Sequence, residues 1–123
     1  METVAVLGAS PKPERYSHQA MVLLRKYGHR VIPVNPGHDQ IDGLSVARSL
    51  ADIAEPIDTV TVYVAPAHLD SQLAALIALK PRRVIFNPGA EHPHAMRALH
   101  AQGIAAEAAC TLVMLRTGQY DQA

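Results

Sequence analysis

The chain has 123 residues, with 11 Lys or Arg and 11 Asp or Glu, so its formal charge is zero when the seven histidines are neutral. This length predicts one domain, residues 1–123. Balanced charge without a basic run excludes a nucleic-acid partner. No apolar stretch approaches the roughly 18 residues of a membrane span, and the single cysteine cannot form an internal disulfide. A cytoplasmic protein is therefore expected.

The predicted elements begin with a short apolar run, Val4 to Leu7, which is typical of a strand buried on both faces. Apolar residues then recur at near-helical spacing from Tyr16 to Tyr27, and Gly28 is placed to end that helix. Val31 to Val34 predicts a second strand. Its proline, Pro33, is expected at the end of the strand or beside a bulge.

The second half of the chain continues the alternation. A weakly patterned stretch (38–56) contains a turn at Ile41 to Gly43 and one helical turn at Ser49 to Ile53. The remaining predictions are a strand at Val60–Val64, a helix at Leu69–Leu79, a strand at Val84–Phe86, a helix from Ala95 that ends at Gly103 and a weak strand at Ile104–Ala106. Thr111–Arg116 is predicted as a last helix, the alternative being an extended segment. This alternation predicts parallel strands with right-handed crossovers. The fold class is α/β, a Rossmann-like doubly wound three-layer fold with a parallel sheet of about five strands.

Ligands bind such sheets at the carboxyl ends of the strands, where the strand order reverses. The loop after the first strand is the most informative place to look. Gly8 allows a tight turn, Ser10 offers a hydroxyl, and the next helix starts with free N–H groups and a partial positive charge. Lys12 and Arg15 add two cations, with Ser17 in the same loop. These residues predict a diphosphate site; the alternative is a turn whose glycine is only structural.

The loop differs from a dinucleotide-binding pattern in two ways. Ser10 and Pro13 stand where G-x-G-x-x-G would have its second and third glycines. After the second strand, where an acidic residue would hold the ribose hydroxyls of NAD, the chain has Asn35 and Pro36. A nicotinamide cofactor is therefore not expected.

Six segments, in order along the chain, carry a resemblance to a known family. They are Val4–Ser10, Arg15–Ser17, Val31–Pro36, Ile41–Gly43, Val60–Pro66 and Asn87–Gly89. In these segments the chain resembles the small bacterial CoA-binding proteins, which are similar to the N-terminal CoA-binding domain of the succinyl-CoA synthetase alpha subunit. The resemblance implies a Rossmann-like fold that holds coenzyme A, or an acyl-CoA, along the carboxyl edge of the sheet.

The resemblance also implies which residues bind the ligand. The Gly-Ala-Ser loop would reach the diphosphate, the Asn-Pro pair after the second strand would border the nucleotide, and the Ala-Pro turn after the third strand would border the adenine or the pantetheine arm. The expected binding residues are Gly8, Ala9, Ser10, Lys12, Arg15, Tyr16, Ser17, Asn35, Pro36, Ala65, Pro66, Asn87, Gly89 and Cys110. No metal ligand and no catalytic residue is expected.

The end of the chain departs from the commoner family pattern. Asn87–Glu91 replaces a Gln-Leu-Gly or Gln-x-Gly turn, and Cys110 follows two alanines instead of Asp-Arg. Cys110 is interpreted as a small buried apolar residue, the alternative being a reactive thiol. Three histidines are interpreted as exposed residues and two glutamates as solvated or capping residues: His92, His94, His100, Glu91 and Glu107.

The leading hypothesis for function is non-catalytic binding of coenzyme A or an acyl-CoA. One alternative is a small CoA-dependent transferase or thiol-handling enzyme that uses Cys110. Another is a regulatory protein that senses nucleotide or CoA and reports to a partner. Synthetase activity does not carry over, because those enzymes keep their phosphorylated histidine in a further domain. The apolar helix predicted at Leu69–Leu79 leaves homo-oligomerisation open.

Overall fold

The apolar run near the start of the chain forms a central strand of a parallel sheet in the computed structural model, which describes residues 1–122. The strands are β1 (Thr3–Leu7), β2 (Arg30–Val34), β3 (Gln40–Ile41), β4 (Leu44–Ser45), β5 (Thr59–Val62), β6 (Arg83–Phe86) and β7 (Ala105–Ala108). The α-helices are α1 (Tyr16–Lys26), α2 (Pro66–Leu69), α3 (Leu73–Leu79), α4 (Pro93–Ala101) and α5 (Thr111–Arg116).

Five strands form the main sheet in the order β2-β1-β5-β6-β7, and every neighbouring pair is parallel. The chain runs outward from β1 to β2 and then crosses back to β5 before continuing to β7. The strand order therefore reverses between β1 and β5, which creates a crevice at their carboxyl ends. The predicted α/β, doubly wound fold is confirmed.

Helices cover both faces of the sheet, and each face has its own apolar core. On one face, Val4 and Val6 of β1 pack with residues of α1 and α5, among them Met21 and Leu24. On the other face, the alternate residues of β1, together with Phe86 of β6, pack against α2, α3 and α4. Alternation along buried parallel strands supplies both cores, which explains the continuous apolar runs of the sequence.

The edge strand β2 accommodates Pro33 inside the strand, opposite Val6, and not at its end or beside a bulge as expected. The carbonyl oxygen of Pro33 accepts a hydrogen bond from the backbone N–H of Ala47, on the outer side of the sheet. Because the N–H and C=O groups of a residue in a strand point the same way, the missing N–H of Pro33 also faces outward. An edge strand tolerates that loss.

The stretch 38–56, weakly patterned in sequence, holds a small antiparallel hairpin formed by β3 and β4. Asp42 and Gly43 form its turn with φ values of 52° and 77°, as a two-residue hairpin turn requires. The side chain of His18, on α1, lies 2.6 Å from the Asp42 carboxylate and ties the hairpin to that helix. The expected turn is present, whereas its two short strands were not predicted.

The prediction of one continuous helix over 69–79 is wrong. A 3-10 turn at Asp70–Gln72 separates α2 from α3. The side chain of Gln72 accepts a hydrogen bond of 3.1 Å from the backbone N–H of Leu50, and Asp70 lies 2.7 Å from the Nε2 atom of His92. Both partners are more than twenty residues away along the chain, so this break depends on tertiary contacts.

Core packing accounts for the apolar residues of this segment. Leu69 and Leu76 are fully buried, and Leu73 and Ile77 pack against the same core. Homo-oligomerisation stays a prediction. In the described part of the chain, every helix is too short or too polar to cross a membrane.

Candidate functional site

Three adjoining cavities form one cleft along the carboxyl ends of the strands. The central lobe, about 510 Å³, is lined by the loop after β1, the start of α1, and the residues that follow β5 and β6. The α2-side lobe shares Gly8, Asn35 and Val64 with it and extends over Arg48, His68 and Gln72. The α5-side lobe shares Tyr16, Tyr63 and Pro88 with the central lobe and adds Asn87, Cys110, Leu112 and Arg116. The cleft therefore lies at the reversal of the strand order.

Gly8 is required where β1 meets the cleft. Its φ is +90°, and a Cβ atom built there would lie 2.9 Å from Cγ1 of Val64 and 3.2 Å from the backbone of Tyr63. The N–H groups of Gly8 and Ala9 both donate to the carbonyl oxygen of Val34. These two amides fix the turn and leave ligand binding to other groups of the loop.

Asn35 connects the loop after β2 to the loop after β1. Its Nδ2 atom donates a hydrogen bond of 2.7 Å to the carbonyl oxygen of Ala9, and its Oδ1 atom accepts one of 2.7 Å from the backbone N–H of Gly37. Within the first loop, the Ser10 hydroxyl accepts from the N–H of Lys12 at 3.1 Å. Side chains therefore hold both loops in place around the central lobe.

The first turn of α1 presents unused N–H groups to the central lobe. Arg15 precedes the helix, its side chain does not cap the helix, and the first turn holds no acidic residue. Tyr16 and Ser17, the first two residues of α1, line the lobe. An uncapped N-terminus with its positive dipole end at a cavity favours an anion there.

The lining of the cleft is cationic, although the whole chain is neutral. Lys12 and Arg15 line the central lobe, Arg48 the α2-side lobe and Arg116 the α5-side lobe. Among residues 1–122, no Asp or Glu lines any of the three lobes. Arg48 is oriented by a hydrogen bond to the carbonyl oxygen of Pro36 and an ion pair with a carboxylate outside the lobe. The cleft therefore suits an extended, multiply anionic ligand.

A buried polar network forms the floor of the α5-side lobe. The Nδ2 atom of Asn87 donates to the Thr61 hydroxyl at 2.7 Å and to the carbonyl oxygen of Val62 at 2.9 Å, while its Oδ1 atom accepts from the N–H of Thr111 at 2.9 Å. The two threonine hydroxyls bond each other at 2.8 Å. This network fixes the start of α5 to the end of β6.

Tyr63 separates the central lobe from the α5-side lobe. Burial raises the pKa of its phenol to about 12, against an opposing effect of the hydroxyls of Thr61 and Thr111. Those hydroxyls bond each other, and in the described residues the enclosed Tyr63 hydroxyl makes no hydrogen bond of its own. Tyr63 is therefore a neutral wall of the cleft at neutral pH.

Most of the expected binding residues lie in the cleft lining. The central lobe is lined by Gly8, Ala9, Ser10, Lys12, Arg15, Tyr16, Ser17, Asn35, Ala65 and Gly89. Pro36 lies in the α2-side lobe, and Asn87 and Cys110 lie in the α5-side lobe. Pro66 lines none of them, because it is the first residue of α2 and its ring starts that helix.

Two interpretations of single residues are wrong. Cys110 is only partly buried and forms part of a cavity wall, whereas it was interpreted as a small buried apolar residue. His92 is buried, with 9% of its surface exposed, and its Nδ1 atom accepts from the N–H of Ala95 as the N-cap of α4. His94 and His100 are exposed as predicted.

Glu91 and Glu107, which were expected to be solvated or capping residues, occupy different environments. Glu91 accepts a hydrogen bond of 2.8 Å from the N–H of Gly89, which is the capping role expected of it. Glu107 is exposed on β7. Within residues 1–122, no group of three or more His, Cys, Asp or Glu residues is arranged to hold a metal ion.

Sequence reasoning missed several residues of the cleft, chiefly Tyr63, His38, Arg48 and Arg116. Tyr63 was assigned to the third strand, which ends one residue earlier. His38 and Arg48 belong to the weakly patterned stretch, where no periodicity pointed to a position. Arg116 ends a predicted helix, and the helical pattern gave no indication that this residue lines the cleft.

Comparison with known proteins identifies relatives over most of the chain. Residues 2–116 match the family described as the CoA binding domain. A 60-residue stretch is 40% identical to the uncharacterized protein YneT of Bacillus subtilis (strain 168), covering 49% of this chain and 44% of that protein. A 63-residue stretch is 29% identical to an ADP-forming acetate–CoA ligase of Methanocaldococcus jannaschii, covering 51% of this chain and 9% of the ligase.

The fold has a close counterpart among solved structures. The crystal structure of an uncharacterized protein superposes with a TM-score of 0.92, at 37% sequence identity and with 98% of both chains covered. By contrast, the matched sequence spans less than half of either curated relative. The similarity therefore concerns a domain, and not the whole of the ligase.

Proposed function

Because the chain belongs to the family of CoA-binding domains, we propose that it binds coenzyme A or an acyl-CoA in the cleft, without catalysing a reaction. The observation that carries this proposal is the charge of the cleft. In a chain of zero net charge, each of the three lobes has at least one cation, and no carboxylate from residues 1–122 lines them. Coenzyme A is a long molecule with a diphosphate near its middle and a further phosphate on its ribose.

The central lobe is the place proposed for the diphosphate. The uncapped first turn of α1 offers N–H groups, and Lys12 and Arg15 add positive charge beside them. Gly8 lets the backbone turn without a side chain in the lobe. A compact anion with several oxygens fits this set of donors better than a single carboxylate does.

The two side lobes suit the two ends of the ligand. The α2-side lobe combines the cation of Arg48 with polar side chains of His68, Ser71 and Gln72, which suits a phosphorylated adenosine. The α5-side lobe is smaller, with Leu112 and two tyrosines in its wall, which suits the pantetheine arm and its thiol.

The lack of a base beside Cys110 supports binding without catalysis. A thiol nucleophile needs a base or a lowered pKa to become reactive. Among residues 1–122, the lining of the α5-side lobe includes no His, Asp or Glu that could take the proton. The transferase and thiol-handling alternatives therefore have less support than simple binding.

Isothermal titration calorimetry tests the proposal. Coenzyme A should bind one to one and saturate below about 1 mM, which corresponds to roughly 4 kcal/mol of binding free energy. NAD should bind far more weakly, because Asn35 replaces the acidic residue that holds the NAD ribose. Absence of heat and of any thermal shift with coenzyme A at 1 mM would overturn the proposal.

A further inference from the structure

We infer that the α5-side lobe takes a short acyl group ending in a carboxylate, which Arg116 binds at the rim. This inference rests on the proposed function, since it assigns the acyl end of a ligand whose diphosphate lies in the central lobe. It commits the site to one class of ligand: thioesters of coenzyme A with short dicarboxylic acids.

Continuity of the cleft places the acyl group in this lobe. Tyr16, Tyr63 and Pro88 line both the central lobe and the α5-side lobe, so a chain leaving the diphosphate passes between them. Beyond that passage lie Cys110 and Leu112. The lobe has a volume of about 300 Å³, at the small end of the roughly 300–1,000 Å³ typical of ligand pockets. It has room for the thiol end of pantetheine and a short acyl chain.

Polar groups in the floor of this lobe are already used. Both side-chain ends of Asn87 are bonded to Thr61, Val62 and Thr111, and the Asn87 side chain is buried. The two threonine hydroxyls bond each other. A second polar group carried by the acyl chain therefore finds no free partner in the floor. In the described residues the unbonded hydroxyl of Tyr63 remains in the wall, but it is neutral and cannot form an ion pair with a carboxylate.

Arg116 is different, because among residues 1–122 it is the one lining cation of this lobe and is not engaged elsewhere. In the described part of the chain, its side chain makes no hydrogen bond and no ion pair, whereas Arg48 of the α2-side lobe makes both. It lies at the end of α5, exposed to solvent. A free guanidinium at the rim of a small, largely apolar chamber is suited to a carboxylate, which it can bind through two parallel hydrogen bonds.

Two matched pairs of ligands test the inference by calorimetry: malonyl-CoA against propionyl-CoA, and succinyl-CoA against butyryl-CoA. The members of each pair have the same number of acyl carbons and differ in the terminal carboxylate. The wild-type protein should prefer the carboxylate in at least one pair by about fivefold, as expected for an ion pair at an exposed site. Arg116→Gln should abolish that preference, so that the two thioesters of a pair bind with affinities within about twofold of each other.

Two further variants sharpen the test. Arg116→Lys keeps the charge without the forked geometry and should retain part of the preference. Arg97→Gln removes an exposed arginine of α4 that lines none of the lobes, and it should change nothing. The inference is overturned if neither pair shows a preference, if Arg116→Gln keeps it, or if Arg116→Gln weakens all ligands equally, which would place Arg116 on a phosphate. Failure of the proposed function looks different, because then coenzyme A itself does not bind.

Discussion

The side-chain amide of Asn35 donates a hydrogen bond of 2.7 Å to the carbonyl oxygen of Ala9. This bond fixes the loop after β1 to the loop after the neighbouring strand, β2. Its Oδ1 atom simultaneously accepts from the N–H of Gly37. One side chain thus positions two loops at the carboxyl edge. The proposed diphosphate site depends on this link, although Asn35 need not touch the diphosphate.

Asn35→Ala should weaken the binding of coenzyme A about tenfold and lower the free energy of unfolding by about 1–3 kcal/mol, because two hydrogen bonds of a partly buried side chain are lost. Asn35→Asp tests the two hydrogen bonds separately, since it keeps the acceptor for the N–H of Gly37 and loses the donor to the carbonyl oxygen of Ala9. Calorimetry and urea denaturation measure both effects. Wild-type affinity in Asn35→Ala would contradict the positioning role.

Replacing both Lys12 and Arg15 with glutamine should weaken coenzyme A binding by one to two orders of magnitude, because charge-assisted hydrogen bonds to phosphate contribute about 1.5–3 kcal/mol each when well formed and less at exposed sites. The affinity of the wild-type protein should also fall with rising salt, and the slope should flatten in the double variant. Replacing both Arg25 and Lys26 with glutamine, at the far end of α1, is the matched control, because it removes the same two charges. An equal loss of affinity in the double variant and in the control would argue for a general charge effect.

Gly8→Ala should destabilise the protein more than Gly28→Ala does. The two glycines have nearly the same φ, +90° and +88°, but only Gly8 faces neighbouring atoms, with Cγ1 of Val64 at 2.9 Å from the added Cβ. A positive φ costs alanine about 1 kcal/mol. The clash with Cγ1 of Val64 and the tight contact with the backbone of Tyr63 should add about 1–3 kcal/mol in Gly8→Ala. Equal midpoints of urea unfolding for Gly8→Ala and Gly28→Ala would show that the contacts around Gly8 are not tight.

Glu2 should make the stability of the fold sensitive to acid. Burial alone would raise the pKa of this carboxyl, but hydrogen bonds from Thr59 and Tyr120 and the charges of Arg83 and Arg82 outweigh it, so that the pKa lies below its ordinary value. A lowered pKa in the folded state stabilises the protein above the unfolded pKa, and this stabilisation is lost as pH falls through the folded value.

Glu2→Gln should therefore reduce the free energy of unfolding by about 1–3 kcal/mol at pH 7 and show a smaller further loss between pH 5 and 3 than the wild-type protein. Urea denaturation at several pH values in this range measures the difference. Glu14→Gln, an exposed residue before α1, serves as the control. Parallel pH profiles for wild type and Glu2→Gln would exclude Glu2 as the source of the acid sensitivity.

Sequence patterns predicted the parts of this fold that local chemistry determines. Apolar runs such as Val4 to Leu7 identified the buried parallel strands, and the glycine and serine of the first loop indicated the cleft at their ends. The break in the helix at Asp70–Gln72 could not be predicted from the local sequence. Its side chains bond to His92 and Leu50, which lie far away along the chain.

The residues of the candidate site likewise fall into a group that the sequence predicted and a group that it did not. The central lobe consists largely of residues from loops that directly follow predicted strands, so its members were expected. The cations of the side lobes, Arg48 and Arg116, reach the cleft through the β3–β4 region and the turn into α5. Their positions depend on how distant elements pack, and residue spacing along the chain does not predict that packing.

Coenzyme A is proposed to bind through the loop after β1 and the first turn of α1. Titration of the ¹⁵N-labelled protein with coenzyme A, followed by amide chemical shifts, tests it most directly. The largest shifts should fall between Gly8 and His18, with smaller ones at Arg48 and Arg116. Saturating coenzyme A that leaves the amides of this loop unmoved, or moves only those at the opposite edge around Arg83, would contradict it.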